Sequence, residues 1–190
     1  MPTSKRLIIG LGNPGPEYER TRHNIGFQVA DALAEKARIT FTRERGDVLL
    51  GWGRIRGYSF GVAKPQALMN RSGKAVLTLV QRHGLETQEI LVVVDDINLP
   101  PGTIRIRPRG SAGGHNGLQD IIDALGTDDF PRLRFGIGSD FSRGRQAEYV
   151  LSPFSDEERL LVAEALLRAR DAALTFVNDG VVTAMNRFNK

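Results

Sequence analysis

Residues 90–94 read ILVVV, five aliphatic side chains in a row with no polar face. Successive side chains of a strand point to opposite sides of its sheet, so such a strand must be covered on both sides. That requirement excludes a sheet with one wet face and calls for helices above and below. Residues 6–12 (RLIIGLG) form a second apolar run, bounded by glycines, and carry the same implication. The rest of the chain alternates to match. Ile25, Val29, Ala32 and Leu33 recur at helical spacing and predict a helix over 25–38. Residues 47–56 and 57–64 read as a hairpin turning at Arg56-Gly57. Ser72 is positioned to cap a helix to about residue 82, stopped by Gly84. Residues 103–107 (TIRIR) alternate apolar and basic, as a half-exposed strand does. A helix over 117–125 ends at Gly126, and 133–138 is another strand. Ser155 and Glu158 have the spacing of a capping box for a long helix to about 178, closed by Gly180. No repeat, linker or composition shift divides the chain. The expected architecture is a single domain over 1–190, an α/β three-layer sandwich with a mixed, mostly parallel central sheet.

With 190 residues the chain is long enough for one well-filled core. Lys and Arg exceed Asp and Glu by 26 to 22, a formal charge of +4, too small for a histone-like tail. Of the 26 cations 21 are Arg, the type suited to bidentate phosphate contacts. Residues 51–110 hold nine basic and four acidic residues, so the excess is concentrated there. No run approaches the roughly 20 apolar residues of a membrane span. The opening MPTSKRLIIG has a basic pair but an apolar stretch too short for a signal peptide. The chain has no Cys, which removes disulfides and thiolate nucleophiles. The expected compartment is cytoplasmic, with no membrane partner.

Two motifs match a pattern and fail on physics. Gly10-Leu11-Gly12-Asn13-Pro14-Gly15 has dinucleotide-binding spacing, but Pro14 and Pro16 delete amide donors and helical periodicity starts only near Ile25. Ser72-Gly73-Lys74 lacks both the upstream Gly and the following Ser or Thr of a phosphate loop. Three His without His-Glu-x-x-His spacing leave no metal site to expect, and no cofactor is called for.

What remains is four polar loops where buried strands end: Asn13 to Tyr18 with Thr21-Arg22-His23-Asn24, Leu68-Met69-Asn70, Asp95-Asp96, and Gly113-Gly114-His115-Asn116-Gly117. Carboxyl ends of strands form the ligand crevice of open α/β sheets. His23 is the candidate base; the alternative is a surface His capping a loop. Asp95, if it faces His23, would set the ring tautomer, whereas one of Asp95 and Asp96 is expected to do turn chemistry only. Asn13, Asn70 and Asn116 supply neutral amides for an oxyanion or a substrate amide, or else serve as turn residues. His115 is open between the same two readings. His83, before Gly84, complements a helix dipole. Ser72 and Ser111 lie outside any nucleophile motif, so a His-activated water is the economical attacking group. Arg105, Arg107 and Arg109, with Arg132 and Arg134, suggest a phosphate-binding face without base readout.

Taken together, LIIGLGNPGPEYERTRHNIGF, KPQALMNRSGKAV, VVVDDINLPPGTIRIRPRGSAGGHNGLQDII and RLRFGIG resemble the bacterial-type peptidyl-tRNA hydrolases, and TAMNRFN near the end is also similar. The resemblance implies an enzyme, monomeric, that hydrolyses the ester between a peptide and the tRNA 3′ end, with peptidyl-tRNA as partner. It implies His23 as general base, Asp95 as its partner, and Asn13 positioning the substrate and telling blocked from free aminoacyl groups. Tyr18, Leu68, Asn70 and Asn116 would bind the peptidyl-tRNA end, and Arg107 and Arg134 the phosphates. Position 68 is Leu where the family usually has Phe, Asn98 replaces a common Asp, and Ala112 stands where some members have His. Two rivals remain at this stage: a non-catalytic RNA-binding relative of the same fold, such as the organellar splicing factors, and an esterase of small molecules. The presence of both His23 and Asp95, with no transit-like extension ahead of the fold, favours the enzyme.

Overall fold

A computed structural model describes residues 5–190. The first four residues of the stretch weighed as a signal peptide lie outside them. Seven strands, β1 (Arg6–Gly10), β2 (Thr42–Glu44), β3 (Val48–Ile55), β4 (Tyr58–Pro65), β5 (Ile90–Asp96), β6 (Ile104–Arg107) and β7 (Arg132–Gly136), form one sheet in the order β2-β3-β4-β1-β5-β7-β6. The four central strands are parallel, and antiparallel pairs at both edges make the sheet mixed. Among the described residues six α-helices complete it: α1 (Ile25–Ala37), α2 (Ser72–His83), α3 (Asn116–Leu125), α4 (Gln146–Val150), α5 (Asp156–Asp179) and α6 (Val181–Phe188). No helix among the described residues is long and apolar enough to cross a membrane.

The two apolar strands behave as their composition demands. Ile8, Leu91 and Val93 meet Val29 and Leu33 of α1 and the alanines 165, 169 and 172 of α5 on one face. Leu7, Ile9, Val92 and Val94 meet Val76 and Leu79 of α2 and Leu118 and Ile121 of α3 on the other. These side chains are 0–3% exposed, and each of the Val, Leu and Ile among them contributes roughly 1.5–3 kcal/mol of burial.

Local signals mostly hold to within a residue or two. The hairpin turns through Arg56 and Gly57, both at positive φ (49° and 87°), the geometry a two-residue turn requires. Gly84 and Gly126 close α2 and α3 in the left-handed conformation, and Ser155 and Glu158 form the capping box of α5. Ser72 does not cap α2. Arg71 occupies the cap position, and the Ser72 hydroxyl, fully buried, donates to the Met69 carbonyl at 2.7 Å. His83 ends α2 as expected, its ring tilted against Trp52 (5.2 Å between ring centroids), and burial, then Arg82 and Lys5, pushes its imidazole toward the neutral form. The short β2, α4 and α6 were not legible locally.

The loop that leaves β5 packs against α5, on the same face of the sheet as α1, and a crevice opens beyond the carboxyl ends of the central strands. Two glycines let α1 start there. A Cβ on Gly26 would lie 2.5 Å from the Leu11 N and O and from the Val93 carbonyl oxygen, and a Cβ on Gly10 would strike the Gly26 carbonyl. The backbone approach draws the short 3-10 turn Arg22–Asn24, just ahead of α1, onto the ends of both central strands.

Candidate active site

The crevice is open, about 710 Å³ in volume, and lies over the ends of β1, β5, β7 and β6. Asn13, His23, Asp95 and His115 line it together with the apolar Leu68, Val150 and Leu151 and the basic Arg107, Arg109 and Arg134. Asn70 and Asn116 also line it, whereas Tyr18 does not. The Tyr18 backbone instead builds the turn, its carbonyl accepting from Thr21 N–H at 3.0 Å and from the Thr21 hydroxyl at 2.8 Å.

Asp95 is the buried hub, its side chain 3% exposed. His23 Nδ1 lies 2.8 and 2.9 Å from its two carboxylate oxygens, and His115 Nε2 lies 2.8 Å from Oδ1. A carboxylate only accepts, so both ring nitrogens donate. His23 therefore carries its proton on Nδ1 and keeps a free lone pair on Nε2, the state of a general base. His115 is fixed more firmly. It is the N-cap of α3, and its Nδ1 accepts the Leu118 N–H at 3.0 Å, which forces the proton onto Nε2. Burial alone would raise the Asp95 carboxyl, but the positive N–H ends of the His115 and His23 rings and the hydrogen bonds they donate outweigh it and hold the group well below the usual carboxylate range.

His23, Asp95 and His115 each offer an atom within 4.8 Å of the others, a spacing that invites a metal. The hydrogen-bond pattern does not fit one. The His115 Nε2 lone pair is absent in the only neutral tautomer that satisfies Leu118, so this ring has nothing to donate to an ion. The cluster is built to hold protons.

The loops are tied so that one amide is presented. Asn24, 1% exposed, clasps the Asn13 backbone: its Oδ1 accepts Asn13 N–H and its Nδ2 donates to the Asn13 carbonyl, both at 2.8 Å. Asn13 Oδ1 accepts Met69 N–H at 2.7 Å, so its Nδ2 is left as the free donor. Arg22, beside the base, pairs with Glu158 at 2.8 Å and lies over the Tyr149 ring at 4.2 Å. It fastens the His23 turn to the segment that carries α4.

Sequence reasoning left His115 undecided and did not single out Asn24. The N-cap spacing His115 to Leu118 was visible, but its second partner, Asp95, is twenty residues away. Neither serine is hydrogen-bonded to a histidine: Ser72 is buried against Met69, and the Ser111 hydroxyl, in a residue that lines the crevice, makes no such bond. The arginines divide. Arg105 and Arg107 face Arg134 and Arg132 across the β6–β7 pair. Arg132 is 1% exposed and spends its guanidinium on the carbonyls of Phe130, Gly110, Ser111 and Asp128, so it is a structural cation and not part of a phosphate face. Arg107 and Arg134 remain at the crevice.

An imidazole hydrogen-bonded to a buried carboxylate at the mouth of an α/β sheet is the arrangement that enzymes of general-base chemistry share. Comparison with known proteins carries this further: the model of the peptidyl-tRNA hydrolase family matches residues 7–190. The chain belongs to that family. It is 52% identical over 189 residues to the peptidyl-tRNA hydrolase of Salinibacter ruber, covering all of both chains. It is 48% identical to that of Chlorobium chlorochromatii, covering 97% of each. The crystal structure of the Acinetobacter baumannii peptidyl-tRNA hydrolase superposes with a TM-score of 0.93 at 37% identity, over 98% of this chain and 95% of that one.

Proposed function

We propose that this chain, acting as one domain and a cytoplasmic monomer, hydrolyses the ester between a peptide and the 3′ ribose of tRNA by attack of a His23-activated water. The observation that carries the mechanism is the 2.8 Å contact of His23 Nδ1 with buried Asp95, which leaves Nε2 as the free lone pair of the ring. His23 Nε2 takes a proton from water as the oxygen adds to the ester carbonyl carbon. The resulting oxyanion is met by amide donors, Asn13 Nδ2 with Asn70 and Asn116 beside it. Collapse breaks the bond to the ribose oxygen, which recovers the proton from the imidazolium. Asp95 stabilises that cation and stays ionised. An alkoxide leaves more readily than an amide nitrogen, so neither metal nor covalent intermediate is required of this site. Leu68, Asn70 and Asn116 hold the peptidyl-tRNA end, with Leu68 offering an apolar contact in place of a ring. Asn13 orients the blocked amino group. Tyr18 supports the turn that places Asn13 and His23. Arg107 and Arg134 hold backbone phosphate.

The test is release of tRNA from N-blocked and from free aminoacyl-tRNA. Cleavage confined to the blocked form supports the reading; no cleavage leaves an RNA-binding protein, and indifference to tRNA leaves a simple esterase. His23→Ala should lower turnover by about 10²–10⁴-fold with tRNA binding nearly intact. Undiminished turnover of that variant refutes the mechanism.

A further inference from the structure

Arg134 differs from the other cations at the crevice rim in having a carboxylate of its own. Its Nε donates to Asp96 Oδ2 at 2.5 Å, with Asp96 12% and Arg134 29% exposed. The second Asp96 oxygen accepts the Asn98 N–H at 2.7 Å, which fixes the carboxylate in place. Among the described residues no ion pair includes Arg107 or Arg109; Arg107 donates only to the neighbouring Ile106 carbonyl, at 3.1 Å. A phosphate that approaches Arg134 therefore meets a second anion already on the guanidinium, while one that approaches Arg107 does not.

We propose that Asp96 is a built-in competitor of tRNA phosphate for Arg134, keeping affinity low enough for the product to leave. The proposal rests on Arg134 being a phosphate contact. Its chemistry is an exchange of anions on one guanidinium, in which like-charge repulsion between Asp96 and phosphate opposes binding. Two residues of the strand end at β5 are thus divided by the face they occupy: Asp95 holds the base, and Asp96 tempers the grip on the polyanion.

Asp96→Asn tests it. An Asn retains one acceptor oxygen, which the Asn98 N–H claims in the same turn geometry, and Arg134 is set free. Equilibrium binding of deacylated tRNA should tighten by about fivefold, the upper range for a partly exposed pair. The slope of log affinity against log salt should steepen by up to about one. Asp96→Ser, which also removes the charge, should move in the same direction and covers the case in which the first variant folds poorly. In an Arg134→Ala background the gain should be smaller, since only the repulsion is relieved and no guanidinium is set free. Unchanged or weaker binding by both Asp96 variants, with Arg134→Ala weakening it, overturns the competitor role and leaves the phosphate contact standing. Binding unchanged by Arg134→Ala overturns both.

Discussion

Replacing Asp95 by Asn keeps shape and hydrogen-bonding capacity and yet should disable the base. The carboxylate accepts from two imidazoles, while an amide accepts through one atom and donates through the other. Its nitrogen must face either His23 or His115. If it faces His115, that ring must move its proton to Nδ1, which loses the cap on α3 and turns two N–H groups, His115 Nδ1 and Leu118 N, toward each other. Losing a cap costs about 1 kcal/mol, and an unsatisfied buried donor costs about 1–3 kcal/mol more. The amide therefore turns to His23, whose proton shifts to Nε2, and the ring presents a donor where the water needs a base. At 1.4 kcal/mol per decade these roughly 2–4 kcal/mol leave the productive tautomer at about one part in 30 to 700, and kcat should fall with it. Single-turnover hydrolysis of N-blocked aminoacyl-tRNA measures this. Asp95→Ala, which leaves the imidazole free to choose its tautomer, should lose less. Asp95→Asn with His115→Gln should recover part of the loss, because Gln accepts where His115 cannot. More than a tenth of normal kcat in Asp95→Asn alone refutes the tautomer argument.

Other consequences are simpler to state. Arg132→Met removes the donor to four carbonyls and should destabilise the fold by at least about 3 kcal/mol in urea melts. Arg107→Ala should leave the melt unchanged but weaken tRNA binding and flatten its salt dependence by about one in slope. Gly26→Ala pushes a methyl to 2.5 Å from the backbone of Leu11, just past β1, and of Val93 on β5 and should cost about 1–3 kcal/mol or more, with activity falling further than stability as the His23 turn shifts. The Asp95 carboxyl is held below its unfolded value of about 3.9, so its contribution to stability is present above that pH and is lost as pH falls through the lower folded value. The stability difference between the parent and Asp95→Asn, followed by urea melts, should accordingly shrink as pH falls below about 4.

Much of the architecture was legible because it depends on local rules. ILVVV and RLIIG are buried on both faces as any strand of that composition must be, and glycines ended helices where a left-handed residue was needed. The elements that escaped are short ones held by distant partners. α4 has five residues, and α6 packs beside β6 next to Asn189, whose amide bonds both the N–H and the carbonyl of Ile106 and so covers an edge strand. Neither has enough local periodicity to announce itself.

The site shows the same division. Residue types and their place at strand ends were enough to nominate His23, Asp95 and the three Asn, because carboxyl ends of buried strands gather at one rim. Composition alone also set the arginine excess in 51–110 and removed thiol chemistry. Tertiary structure decided the rest. It made His115 a second partner of Asp95, turned Arg132 inward as a structural cation, gave Arg134 a competing carboxylate, and left Tyr18 off the crevice. Each of these depends on a hydrogen bond or ion pair between groups far apart in the chain, or on which face of an edge strand the sheet covers. A side chain's chemistry belongs to its sequence; whether its donors and acceptors are already occupied belongs to the fold.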